Sequence, residues 1–210
     1  MFIISFPRSG QHLMDRLLKH IYNYYGKEYS YCEYYTCCKT IPCKKESLFQ
    51  KNHDSKLVLK LKLDEKNLIL YRKDKIYQLE SFFRYEKVYK MDKFNSNVNY
   101  KDEKIFNLLI EFIKIKSKYY DDFLNKYIKS NIYKQALVVE YDDFLSNHKD
   151  YIKQIILFLN LTDGKNIDLD TEKIVNTFEK IEYKNSLDDE IYKKINNILD
   201  PKSVLKTIED

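Results

Sequence analysis

The stretch that decides the fold is FIISFPRSGQHLMDRLL, residues 2–18. FIISF is β-branched and aromatic enough for a buried strand, and Pro7 ends it by removing a backbone donor. From Gln11 onward, Leu13, Leu17, Ile21 and Tyr24 recur at helical spacing until Gly26. A strand, a tight loop and a helix thus fill the first 25 residues or so. The chain has three glycines in 210 residues, and one of them, Gly10, stands at this junction. A helix N-terminus carries unpaired N–H groups and the positive end of the helix dipole, which together favour a phosphate or sulfate. Gly10 lets the backbone approach such a group, Arg8 adds a permanent charge and Ser9 a hydroxyl. On the plainer reading, Gly10 only permits a tight turn. The ATP- and GTP-type form G-x4-G-K followed by Ser or Thr is absent.

Alternation of strand and helix patterns continues along the chain. NLILY (67–71) reads as a fully apolar strand of parallel-sheet type, ALVVEY (136–141) as a further strand, and LVLKLKL (57–63) as a strand or a short helix. Helical patterns run from about 75 to 90, from 102 to 129, through DYIKQIILFLNL (150–161), near 170–180 and over 187–199, while 27–55 reads as irregular. The pattern predicts an α/β fold with a mainly parallel sheet, because parallel neighbours need crossover helices. Length, and the lack of a Gly/Ser linker or internal repeat, predict one domain over 1–210.

Composition excludes more than it selects. The chain is 44% hydrophobic with 20 Tyr and 12 Phe, enough for a core without Trp. Its net charge of +5 is the difference between 37 basic and 32 acidic residues with no cluster, so no nucleic-acid partner is expected. No apolar run approaches the ~20 residues of a membrane span, and Pro7 and Arg8 interrupt the opening too early for a signal peptide. The expectation is a soluble, cytoplasmic chain without membrane insertion. Four cysteines crowd into Cys32, Cys37, Cys38 and Cys43, as C-x4-C-C-x4-C. This is not the paired C-x2-C spacing of zinc ribbons, and in a reducing compartment the reading is free thiols in a loop, with a disulfide or a bound metal as the alternatives.

Taken with three later segments, SFPRSGQHL resembles the loop with which sulfotransferases grip the 5′-phosphosulfate of 3′-phosphoadenosine 5′-phosphosulfate (PAPS). That loop runs aromatic-Pro-basic-Ser-Gly and then two small hydroxylated or polar residues. NLILYRKDKIYQLESFF (67–83) is similar to the family's 3′-phosphate motif, a strand ending in Arg with a Ser on the next helix. QKNHD (50–54) is similar to the Lys-x-His segment that supplies the general base, and ALVVEYDDFLSNHKDYIKQIILFLNL (136–161) to the long C-terminal signature. KNSLDDEIYKKINNIL (184–199) resembles the final helix, so the likeness covers residues 2 to about 199.

The resemblance implies a P-loop-like three-layer fold and PAPS-dependent transfer of a sulfuryl group to a hydroxyl or amine acceptor, with no metal. It places Pro7, Arg8, Ser9, Gly10, Gln11 and His12 at the phosphosulfate. Arg72 and Ser81 hold the 3′-phosphate, with Lys73 as substitute because the usual spacing to the serine would select it. Tyr141 lies near the adenine. His53 is the expected base and His12 its rival in the loop, with Asp54 or Glu33 behind them; Arg8 is the expected cation at the leaving phosphate. Gln11-His12 departs from the usual hydroxylated pair, and the family's Arg-Lys-Gly segment has no clear counterpart beyond Lys180 and Lys184. The acceptor is expected to be a small molecule or carbohydrate, met by Tyr31, Tyr34 and Tyr35; oligomeric state is not legible. Two other readings stay open: a nucleotide-binding relative without turnover, and a nucleotide or nucleoside kinase of similar architecture.

Overall fold

The computed structural model describes residues 1–33, 37–54, 57, 65–89, 98–130, 134–162, 166–178 and 187–199. They fall into two compact units, residues 1–73 with 122–181, and residues 74–121 with 182–210. LVLKLKL beyond Leu57, Tyr34, Tyr35, Lys180 and Lys184 lie outside the described residues.

The first unit is α/β. Five parallel strands, β1 (Phe2–Ser5), β2 (Tyr31–Glu33), β3 (Phe49–His53), β4 (Asn67–Tyr71) and β5 (Ala136–Glu140), lie in the order β2-β3-β1-β4-β5. β1 is central, which explains its unbroken apolar run: both faces of a parallel strand are covered. Helix α1 (Gln11–Tyr24) follows it and buries Leu13, Met14, Leu17, Leu18 and Ile21 against Ile3, Phe49, Leu68, Leu70 and Val139 of the sheet. Each such side chain contributes about 1.5–3 kcal/mol on full burial. The same core takes in Phe144 of α4 (Tyr141–Ser146), Ile152, Ile155 and Ile156 of α5 (His148–Phe158) and Ile174 of α6 (Ile167–Thr177). Polar ties join α1 to α6: the hydroxyls of Tyr24 and Tyr25 both donate to Asp170, and His20 bonds Thr177, a structural role for that histidine.

The region 27–55, read from sequence as irregular, contains β2 and β3. FQKNH has one apolar residue in five and no strand signature of its own; it is a strand because β1 and β2 pair with it on either side. The helix expected over 102–129 is α-helical as α3 (Glu103–Leu124) and then a π-helical turn, Asn125–Lys129.

The second unit is helical. Asp74 caps α2 (Lys75–Phe83) by accepting from the Tyr77 N–H, and a π-helical turn, Arg84–Tyr89, continues it. Asp74 also accepts from the Tyr192 hydroxyl of α7 (Asp189–Leu199), and the Phe83 and Phe112 rings meet edge to face. Glu80, buried on α2, accepts from the Tyr100 hydroxyl at 2.6 Å. Among the described residues no helix is long and apolar enough to cross a membrane.

Candidate active site

At the end of β1 the chain turns sharply: the Ser9 N–H donates to the Phe6 carbonyl at 3.3 Å, closing a loop over Pro7 and Arg8. Two residues of the loop are left-handed, Arg8 at φ 70° and Gly10 at φ 84°. The first suits arginine poorly and glycine well, so the loop is strained at the residue that carries its charge. Gly10 occupies the N-cap of α1 and, having no side chain, leaves the first-turn N–H groups without a side-chain cap; no acidic residue stands in that turn. Arg8 is exposed and Ser9 buried. The Tyr141 ring lies directly against Gly10, where a β-carbon would overlap it. These two residues, with Ser9, line a small apolar pocket together with Leu13, Met14, Leu70 and Phe144, a continuation of the core rather than a nucleotide seat.

On one side of the loop, parallel pairing sets Ser5 opposite His53, and Ser5 Oγ meets His53 Nδ1 at 3.1 Å. Two residues earlier on the same face of β3, Lys51 is buried, ion-paired with Glu33 of β2 at 2.6 Å and 3.5 Å from His12 Nε2. Since an ammonium only donates, His12 Nε2 faces it as an acceptor. Burial holds His12 below the ordinary imidazole value, helped by the Lys51 and Arg8 charges. His53 is also held down, first by the protein packed around it and then by Lys51 and His12, while its outer edge stays open to solvent. Glu33 is lowered by its hydrogen bond from Lys51, which keeps it an anion and a poor base. Asp54, the other carboxylate considered from sequence, is buried with Oδ2 taken up by the Tyr127 hydroxyl and the Lys126 ammonium.

On the other side, Arg72 follows β4 and is 3% exposed. Its Nε donates to both oxygens of Asp142, at 2.8 and 3.1 Å, and its guanidinium lies 5.8 Å from the centre of the Tyr141 ring. The Lys73 side chain is exposed, and its backbone N–H donates to Glu140. Ser81, on α2 in the second unit, is buried at 5% exposure.

Gln11 differs in kind from the expected phosphosulfate contacts. Its side-chain nitrogen donates to the Ile3 and Asn52 carbonyls at 2.9 and 3.1 Å, strapping α1 to β1 and β3. What it offers an anion is its backbone N–H at the start of α1. Sequence reasoning passed over Ser5 and Asp142; Lys51 was noticed only as the lysine of the Lys-x-His segment, without its ion pair to Glu33. Tyr31 stacks on Tyr29 with ring centres 6.5 Å apart, and its hydroxyl is buried without a partner.

The chain matches no protein-family model, no curated protein and no solved structure. The chemistry of the site therefore rests on its own geometry. In one unit, an uncapped helix N-terminus and an exposed guanidinium adjoin two histidines that are neutral near pH 7. That arrangement suits transfer of a small anionic group to an acceptor that must lose a proton.

Proposed function

We propose that the protein is a PAPS-dependent sulfotransferase acting on a hydroxyl-bearing acceptor. The observation that carries the reading is the pairing of Ser5 with His53, which seats a histidine 48 residues away in sequence beside the start of the Pro7–Gly10 loop. In the tautomer that serves as base, Nδ1–H donates to Ser5 Oγ and Nε2 keeps its lone pair for the acceptor. The acceptor oxygen attacks sulfur in line. The bond from sulfur to the bridging oxygen breaks as the new one forms, the acceptor proton passes to His53 Nε2, and adenosine 3′,5′-bisphosphate leaves. Charge gathers on the leaving phosphate, where Arg8 and the first N–H groups of α1 stabilise it. Arg72, with Lys73 beside it, is assigned to the 3′-phosphate, and the Tyr141 ring to the adenine. No step calls on a metal.

A second reading, a nucleotide-binding protein without turnover, is favoured by one observation: the Gln11 side chain is committed to main-chain carbonyls, which removes a donor from the sulfuryl group. Calorimetric titration with adenosine 3′,5′-bisphosphate, alongside ATP with magnesium, tests both readings. Tight binding of the bisphosphate and weak binding of ATP supports a PAPS site. Turnover of PAPS against a panel of phenols, alcohols and sugars then separates enzyme from binder. Preference for magnesium ATP would instead indicate a kinase.

A further inference from the structure

Away from this site, the connection between β2 and β3 poses a separate problem. Parallel neighbours are ordinarily joined through a helix that packs on the sheet. Between Glu33 and Phe49 the described residues, 37–48, hold no helix or strand, and long loops of that kind are uncommon in compact folds unless something else organises them. What gathers here is sulfur. Cys32 on β2, Cys37 and Cys38 just after it, and Cys43 further along bring their four Sγ atoms within 4.8 Å of one another. Cys38 Sγ lies 3.6 Å from that of Cys32 and 3.5 Å from that of Cys43.

From this convergence the geometry points to a structural zinc site in which Cys32, Cys37, Cys38 and Cys43 supply all four ligands. Four thiolates at a Zn–S distance of about 2.3 Å in a tetrahedron stand about 3.8 Å apart, close to the spacing here. Disulfides fit the arrangement less well, because Cys38 is shared almost evenly between two neighbours where a disulfide would single out one. An iron–sulfur cluster fits less well too, since its cysteines bind different irons and stand further apart than ligands of one ion. With every position filled by cysteine, no coordination site is open to a substrate, which makes the role structural.

The surroundings agree with a thiolate site. Cys32 and Cys43 are buried, while Cys37 and Cys38 are half-buried, enough exposure for a metal to enter. Four thiolates on Zn²⁺ carry a net charge of −2, and Lys39, Lys44 and Lys45, all exposed, flank the ligands in sequence. The loop is tied to the sheet from outside as well: Gln50 of β3 donates from its side chain to the Thr40 carbonyl at 2.6 Å. This inference is independent of the proposed activity. It goes beyond the reading of these residues as free thiols, because their four Sγ atoms converge on one point.

The test uses the full chain purified without chelator. Elemental analysis is expected to find about one zinc per chain, with all four cysteines resisting N-ethylmaleimide until a chelator is added. Replacing zinc by Co²⁺ is expected to give the ligand-field and thiolate charge-transfer bands of a tetrahedral all-sulfur site, and Cys38→Ser to abolish them. Because Cys38→Ser also removes a contact in the loop, wild-type chain stripped of metal and retitrated with zinc supplies the same readout without a substitution. Stoichiometric iron with acid-labile sulfide, intramolecular disulfides, or four thiols alkylated at once without metal would each overturn the proposal.

Discussion

The ring of Tyr141 lies on Gly10, at the one position of the loop where a side chain would both collide with it and hold an unfavourable φ of 84°. Gly10→Ala is therefore expected to destabilise the protein by more than the ~1–2 kcal/mol of left-handed strain alone. In a Tyr141→Ala background the collision is gone and only the strain remains. Denaturant unfolding of the four-member cycle measures the difference, and additive effects would show that ring and loop do not press on each other.

Arg72 and Asp142 provide a second test. The guanidinium is buried against a carboxylate that competes with any phosphate for it. Asp142→Asn should lower stability by roughly 2 kcal/mol through loss of a charged hydrogen-bonded partner. It should also tighten adenosine 3′,5′-bisphosphate, whereas Arg72→Ala should weaken it. If neither substitution moves that affinity, Arg72 has no part in the 3′ site and Lys73 is next to be replaced.

For His53 the sign of the pH effect is fixed by its surroundings. Its pKa is lowered on folding, so the unfolded chain binds the extra proton more readily. The neutral imidazole thus persists to below the ordinary value of ~6.5, and stability is lost as pH falls through that value toward the folded pKa. As general base, His53 should give a rate profile whose acid limb lies below pH ~6.5, and Lys51→Gln should shift that limb upward by removing a positive neighbour. His53→Ala should abolish transfer at unchanged bisphosphate affinity. Transfer that survives His53→Ala but fails in His12→Ala would assign the base to His12, in the first turn of α1.

Asp54 should be needed for folding and dispensable for chemistry. Asp54→Ala removes the acceptor that the Tyr127 hydroxyl and the Lys126 ammonium share, a loss of about 1–3 kcal/mol. Asp54→Asn keeps an acceptor and should retain most turnover. Loss of turnover in a folded Asp54→Asn protein would put this carboxylate into the reaction.

Legibility of the sequence followed burial. FIISF and NLILY are read correctly because a strand covered on both faces is apolar throughout, and α1 because one face of it is buried against the sheet. β3 escaped because Lys51 and His53, both polar, share the face of Phe49, and that polarity is the site's own chemistry intruding on a strand. At Gln11, of the backbone and side-chain donors expected to face an anion, the side-chain amide is claimed by two strand carbonyls. Nothing local in Gln11 reveals that those carbonyls lie within reach.

The central place of β1 also governs the order in which the protein can assemble. This strand leaves the ribosome before either of its sheet partners: it pairs with β3 and β4, which lie more than forty residues further on. Until β4 has been made, FIIS waits as an unpaired apolar segment, open to mispairing or to chaperone capture, and sheet closure is a late, non-local event. Polar substitutions within those four residues should consequently harm yield during synthesis more than they harm the stability of protein already folded.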